Sequence, residues 1–230
     1  MNWDATLGVI CVIAFTLPVV VIFYNRYYTH RSLAAMLAYY LLIFIDNLFN
    51  ENIIPVSVSF NRMLTLIDNY ASVPLMLTAL LFFCPNKYKQ GKVRLLTLLF
   101  IAYEILIIAL YGFTKRSVIY IMGPGVCTIL IYSFYLFVRQ VRFSIFHGKN
   151  YGRVLMLCAI VFDCSCYLLI YFFTYIQKTP FKNDVFKLYY ISSVVSSILM
   201  AIGLHMMRTR MKELKSLKTT RRELALFFAK

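Results

Sequence analysis

Seven long apolar runs, separated by short polar gaps, set the terms for any fold of this chain. They cover residues 7–24, 33–49, 63–83, 95–111, 118–138, 154–175 and 185–206. About 20 helical residues cross a hydrocarbon layer some 30 Å thick, and only helices or closed barrels satisfy their backbone groups inside it. The runs therefore predict an all-α integral membrane fold, a bundle of seven transmembrane helices. Composition agrees, since 61% of the 230 residues are hydrophobic and 14% are charged, against about 25% charged in a soluble domain. The gaps are too short to hold a soluble domain. The expected organisation is a transmembrane domain over 1–206 and a basic amphipathic cytoplasmic tail over 207–230. The opening MNWDATLGVICV lacks a basic leader and a small-residue cleavage site, so the first run is expected to be a permanent span.

The net charge of +15 would suggest nucleic-acid binding in a soluble protein. Here the basic residues fall in alternate gaps, which is the pattern that sets membrane orientation. Arg26, Arg31, Lys87, Lys89, Lys92, Arg94, Arg139, Arg142, Lys149 and Arg153, with eight more after His205, share one side, leaving six of the 24 on the other. This predicts an N-terminus outside and a C-terminus in the cytoplasm, as in a multi-pass protein of the plasma (inner) membrane. Membrane lipids are the expected partners of the basic face, and no nucleic acid is. The tail reads MMRTRMKELKSLKTTRRELALFFAK, with Met207, Met211, Leu214 and Leu217 on one stripe. Such a helix suits a membrane surface, a cytoplasmic protein partner or a second copy of the chain.

Carboxylates inside apolar runs narrow the function. Asp46, Asp68, Glu104 and Asp163 would each cost roughly 2.5 kcal/mol or more facing lipid, so they are expected to face the bundle interior and mark a functional site. Asp46 and Asp68 both lie about 8–9 Å below the outer boundary of the membrane, by the 1.5 Å rise per residue. Each adjoins an amide, Asn47 or Asn69, and Asn61, Thr65, Asp68 and Ser72 recur as one helical stripe. Asn50 continues the line of Asp46. The predicted ligand-binding set is Asp46, Asn47, Asn50, Asp68, Asn69, Ser72, Glu104, Asp163, Tyr167 and Tyr189, around a polar cavity open to the outside. The same stripe also fits a hydrogen-bonded seam between helices. Gly-Pro-Gly at 123–125 predicts a kink or late start in the fifth span, and the apolar first span is expected at the lipid periphery.

Several chemistries lack their residues. His30, His147 and His205 lie near the cytoplasmic surface without metal-ligand spacing. There is no GxSxG elbow or phosphate-binding glycine loop, no lysine deep in the seventh run, and the six cysteines read as free thiols in apolar surroundings. No catalytic or metal-ligating residue and no cofactor is assigned. The leading expectation is a sensory or ligand-binding module that signals through cytoplasmic partners. A small-solute or proton- or cation-coupled transporter is the first alternative, and a lipid-modifying enzyme the second.

Overall fold

A computed structural model describes residues 3–84, 87–147, 150–177 and 182–228, with side chains over 6–84, 88–146, 150–177 and 184–208. Seven helices follow one another: α1 (Trp3–Tyr24), α2 (Arg31–Asn50), α3 (Val58–Leu80), α4 (Lys87–Tyr111), α5 (Lys115–His147), α6 (Tyr151–Tyr171) and α7 (Lys182–Phe228). All seven are long and apolar enough to cross a membrane, the pattern of a multi-pass membrane protein. Leucine, isoleucine and phenylalanine exposed on their outer faces fit a lipid environment rather than water, where such broad apolar surface would associate. Connections are tight. Ser57 caps α3 by accepting a hydrogen bond from the Phe60 amide at 3.3 Å, and Asn52 and Asn150 turn the chain in left-handed conformations that asparagine tolerates.

Six of the helices close a ring in the order α1, α2, α3, α5, α6, α7, and α4 lies outside it against α3 and α5. A single membrane-spanning helix has no apolar reason to enter the ring rather than ride on it, since lipid tails are as apolar as its neighbours. Close approach decides. Gly152 of α6 and Gly203 of α7 meet so tightly that a Cβ on Gly152 would stand 2.6 Å from the Gly203 carbonyl oxygen. This backbone contact makes α6 and α7 the closest pair at the end of the bundle opposite the N-terminus. Met36, Leu77, Leu80, Met156, Ile160, Met200 and Leu204, all fully or almost fully buried, belong to the apolar core.

Two expectations about individual helices are corrected. Of the kink or late start expected at Gly-Pro-Gly, the late start is overturned: α5 begins at Lys115 and runs unbroken for 33 residues with Pro124 inside it. Proline cannot donate to the carbonyl four residues earlier, here that of Tyr120, and Tyr103 of α4 supplies the missing donor from its hydroxyl at 2.9 Å. The two glycines serve packing, because a Cβ on Gly123 would press on the Tyr171 ring and one on Gly125 on Val73 and Phe100. The first helix is not merely peripheral, as it buries Cys11, Val12, Phe15 and Ile22 while exposing Ile13, Val20 and Phe23. The outlying helix is α4.

The tail is a continuation of α7, which is helical without a break to Phe228. At the end of its membrane-crossing part Met207 is buried and the Arg208 guanidinium lies over the Tyr24 ring at 4.7 Å. The amphipathic stripe of Met211, Leu214 and Leu217 falls outside the residues whose side chains are described.

Candidate functional site

The ring encloses a cavity of about 960 Å³, walled by α2, α3, α5, α6 and α7. Glu51, Thr174, Tyr175, Val185 and Phe186 line its upper part, and they flank the α2–α3 and α6–α7 connections, so the cavity opens at the N-terminal end of the bundle. The start of α1 stands at the same end, because Gly8 packs directly on the Glu51 carboxylate. Below the cavity lies the apolar core.

Local sequence explains how the polar wall is built. On α2, Asp46 and Asn50 are one turn apart, and Asn50 Nδ2 donates to Asp46 Oδ2 at 2.8 Å. Thr65 of α3 donates its hydroxyl to Asp46 Oδ1 at 2.7 Å, and Asn61 Nδ2 donates to Asn50 Oδ1 at 2.9 Å. These bonds stitch α2 to α3 while Asp46, Asn50, Thr65, Asp68 and Asn69 still line the cavity. The stripe is therefore both a seam and a cavity wall, the two arrangements that its spacing allowed. Asp46 is only 6% exposed, and its two donors offset the cost of withdrawing a carboxylate from water. Asp68 accepts from Ser72 at 3.3 Å on Oδ1, within its own helix.

The opposite wall is aromatic. Asn47 and Tyr189 of α7 exchange hydrogen bonds across the bundle, at 3.1 Å from the amide and 3.2 Å from the hydroxyl. Tyr189 meets Tyr167 of α6 edge to face, 5.9 Å between centroids. Tyr190 donates to Glu51 Oε1 at 2.6 Å. Tyr171 donates to the Ile119 carbonyl of α5 at 2.9 Å, which fixes its ring beside Gly123. Above it α6 widens into a π-helical segment, Phe172–Ile176, a rare distortion frequent at functional sites, and this segment carries Thr174 and Tyr175 into the cavity mouth.

Of the ten residues anticipated from sequence, Asp46, Asn47, Asn50, Asp68, Asn69, Tyr167 and Tyr189 line the cavity. Ser72 lies one turn below as the hydroxyl on Asp68. Asp163 is not on the wall. It sits a turn beneath Tyr167, where Ser196 of α7 donates to Oδ1 at 3.1 Å, and it forms a separate polar tier between α6 and α7. Glu104 does not join the group either. Its helix is outside the ring, and its side chain, 6% exposed, belongs to the α4 stripe of Val93, Thr97, Phe100 and Ile107 that packs inward; Oε1 has no hydrogen-bond partner among the described residues. Tyr190 donates to Glu51, Tyr189 to Asn47, and Tyr103 and Tyr171 to backbone carbonyls, so none of these bonds goes to the four membrane-depth acids.

The set read from sequence omits Glu51, Tyr171, Thr174, Tyr175, Phe186 and Tyr190, all of which line the cavity. The signal for two of them was present, since Tyr167, Tyr171 and Tyr175 recur every four residues. Among the described residues the wall carries three carboxylates and no Lys, Arg or His. Lys187, the basic residue nearest the rim on α7, is exposed and pairs with Asp184 of its own helix at 3.2 Å. Also among the described residues, no three His, Cys, Asp or Glu side chains are grouped to hold a metal ion. Comparison with protein-family models, with curated proteins and with solved structures finds no match to this chain.

Proposed function

We propose that this protein is a membrane-embedded sensory or ligand-binding module, with its N-terminus and cavity outside and its basic end in the cytoplasm of a plasma (inner) membrane. The observation that carries the reading is the cavity itself. It is a polar and aromatic chamber walled by five helices of the ring, open at the N-terminal end and backed by an apolar core. Ligand sites have this character, mostly apolar walls with a few convergent polar groups. A packed apolar core below favours reception over passage, because a ligand reaching Tyr167 meets buried side chains. Occupancy would draw α2, α3, α6 and α7 together, and the long α7 carries such a displacement to the basic end, where anionic lipid, a cytoplasmic protein or a second copy receives it. The orientation rests on charge, with 18 of the 24 basic residues on the C-terminal side.

Two measurements test this. Alkaline phosphatase fused after Asn52 should be active in a bacterial host and inactive when fused after Lys149; the reverse pattern turns the protein over. Asn50→Cys, on the cavity wall, should react with a membrane-impermeant maleimide added to intact cells well above the wild-type background, and an inert residue 50 would mean that no external chamber is open.

The separate tier at Asp163 supports a second reading, transport, since a carboxylate beneath the chamber could accept a cation passing inward. Uptake into proteoliposomes abolished by Asp163→Asn, with binding intact, would replace the sensory reading with that one.

A further inference from the structure

We infer that the cavity receives a small organic cation, an ammonium group borne on an apolar or aromatic body. The inference rests on the reading of the chamber as a ligand site and adds the chemical class of the ligand.

Charge balance points first. Asp46, Asp68 and Glu51 share one low-dielectric chamber whose described wall has no basic side chain. The protein supplies hydrogen-bond donors to these acids but no positive charge: two reach Asp46, Tyr190 reaches Glu51, and Ser72 reaches Oδ1 of Asp68. Asp68 lines the cavity, and among the described residues no hydrogen bond reaches its Oδ2. A cation entering here gains attraction that water would largely screen, while an anion finds acids and no basic partner on the described wall.

Size and lining then choose among cations. A bare calcium ion takes six to eight oxygens at about 2.3–2.6 Å, and a chamber of about 960 Å³ cannot close around it that way. The space suits an organic molecule. Tyr167, Tyr171, Tyr175, Tyr189 and Phe186 line it opposite the acids, with the Tyr167 and Tyr189 rings perpendicular and 5.9 Å apart. The faces of aromatic rings attract an ammonium and its adjoining methylene groups, and Ile43, Met122 and Val126 offer apolar contact to the remainder. The ammonium is placed between Asp46 and Asp68, and its apolar body against α6 and α7.

The test uses the full-length protein in lipid nanodiscs, titrated calorimetrically with 2-phenylethylammonium chloride. Parallel titrations use 2-phenylethanol, a neutral molecule of similar shape, and sodium 3-phenylpropionate, an anionic one. The ammonium compound should bind at least tenfold more tightly than the alcohol, and the anion should not bind. Asp68→Asn, which keeps the side-chain shape, should erase most of that tenfold preference, with folding checked by monodisperse elution. Equal binding of alcohol and amine by the wild type overturns the cationic assignment while leaving a ligand chamber in place, and so does an undiminished preference in Asp68→Asn. Absence of binding by all three also overturns the assignment. In that event maleimide labelling of Asn50→Cys decides separately whether the chamber is open, so the two ideas fail by different results.

Discussion

The Thr65 hydroxyl on α3 donates to Asp46 Oδ1 on α2 at 2.7 Å, so one contact joins two helices and shapes the wall of the cavity between them. A hydrogen bond between membrane helices contributes about 0.6 kcal/mol on average and up to about 1.7 kcal/mol. Thr65→Val keeps the branched shape and removes the donor, and it should destabilise the protein by about 1 kcal/mol in thermal unfolding in detergent. Thr65→Ser should recover most of the loss. A Val variant as stable as wild type would mean that Asp46 does not depend on this clasp.

Glycines at close crossings and glycines in open helix should respond oppositely. In Gly152→Ala the new Cβ falls 2.6 Å from the Gly203 carbonyl oxygen and 3.1 Å from the Met207 amide nitrogen. Backbone cannot step aside as a side chain can, so overpacking should cost about 1–3 kcal/mol. Gly91→Ala on α4 has no atom within 4 Å and should stabilise the helix by about 0.5–1 kcal/mol. Melting temperatures of the two variants moving in the same direction would contradict the packing described for α6 and α7.

Tyr103 and Pro124 are coupled through the Tyr120 carbonyl, which the proline leaves without its helical donor. Tyr103→Phe should cost about 1 kcal/mol in the wild-type background. In a Pro124→Ala background residue 124 regains an amide for that carbonyl, so the same tyrosine change should cost much less. The double-mutant cycle reads this coupling directly, and additive effects would show that the hydroxyl acts elsewhere.

Glu104 should be dispensable to the cavity. Among the described residues its Oε1 is buried without a partner, on a helix outside the ring, and leaving a buried polar group unsatisfied costs about 1–3 kcal/mol, which an apolar side chain of similar volume avoids. Glu104→Met should raise the melting temperature and leave 2-phenylethylammonium titration unchanged. Loss of binding would return Glu104 to the site.

How much of the site could be read in advance follows from the range of each physical signal. Depth along a helix is local, so Asp46 and Asp68 could be placed at one level from the rise per residue, and α2 and α3 had to be neighbours because only a short connection joins them. The inward facing of Asp68 followed from the stripe of Asn61, Thr65, Asp68 and Ser72, which makes a single polar face. Glu104 shows where this reasoning ends. Its stripe has the same period, but period reports which face turns inward and not what that face meets. It meets α3 and α5 from outside the ring. The aromatic wall was hidden for a related reason, because Tyr171 and Tyr175 near a span end look the same whether they anchor at the interface or widen α6 into a cavity mouth.

Hydropathy, helix period and the distribution of charge determined by themselves that this chain makes seven membrane-length helices with acids turned inward, because those properties are summed along a chain whose solvent changes from water to hydrocarbon. Tertiary structure alone decided that six helices form a ring with α4 outside, that Asp46, Asp68 and Glu51 share a chamber while Asp163 and Glu104 stand apart, and that tyrosines face them. Those outcomes depend on close approaches such as Gly152 to Gly203 and on bonds such as Asn47 to Tyr189, between residues far apart in sequence. Lipid offers helices no apolar preference for one neighbour over another, so shape and hydrogen bonding across the bundle make the choice.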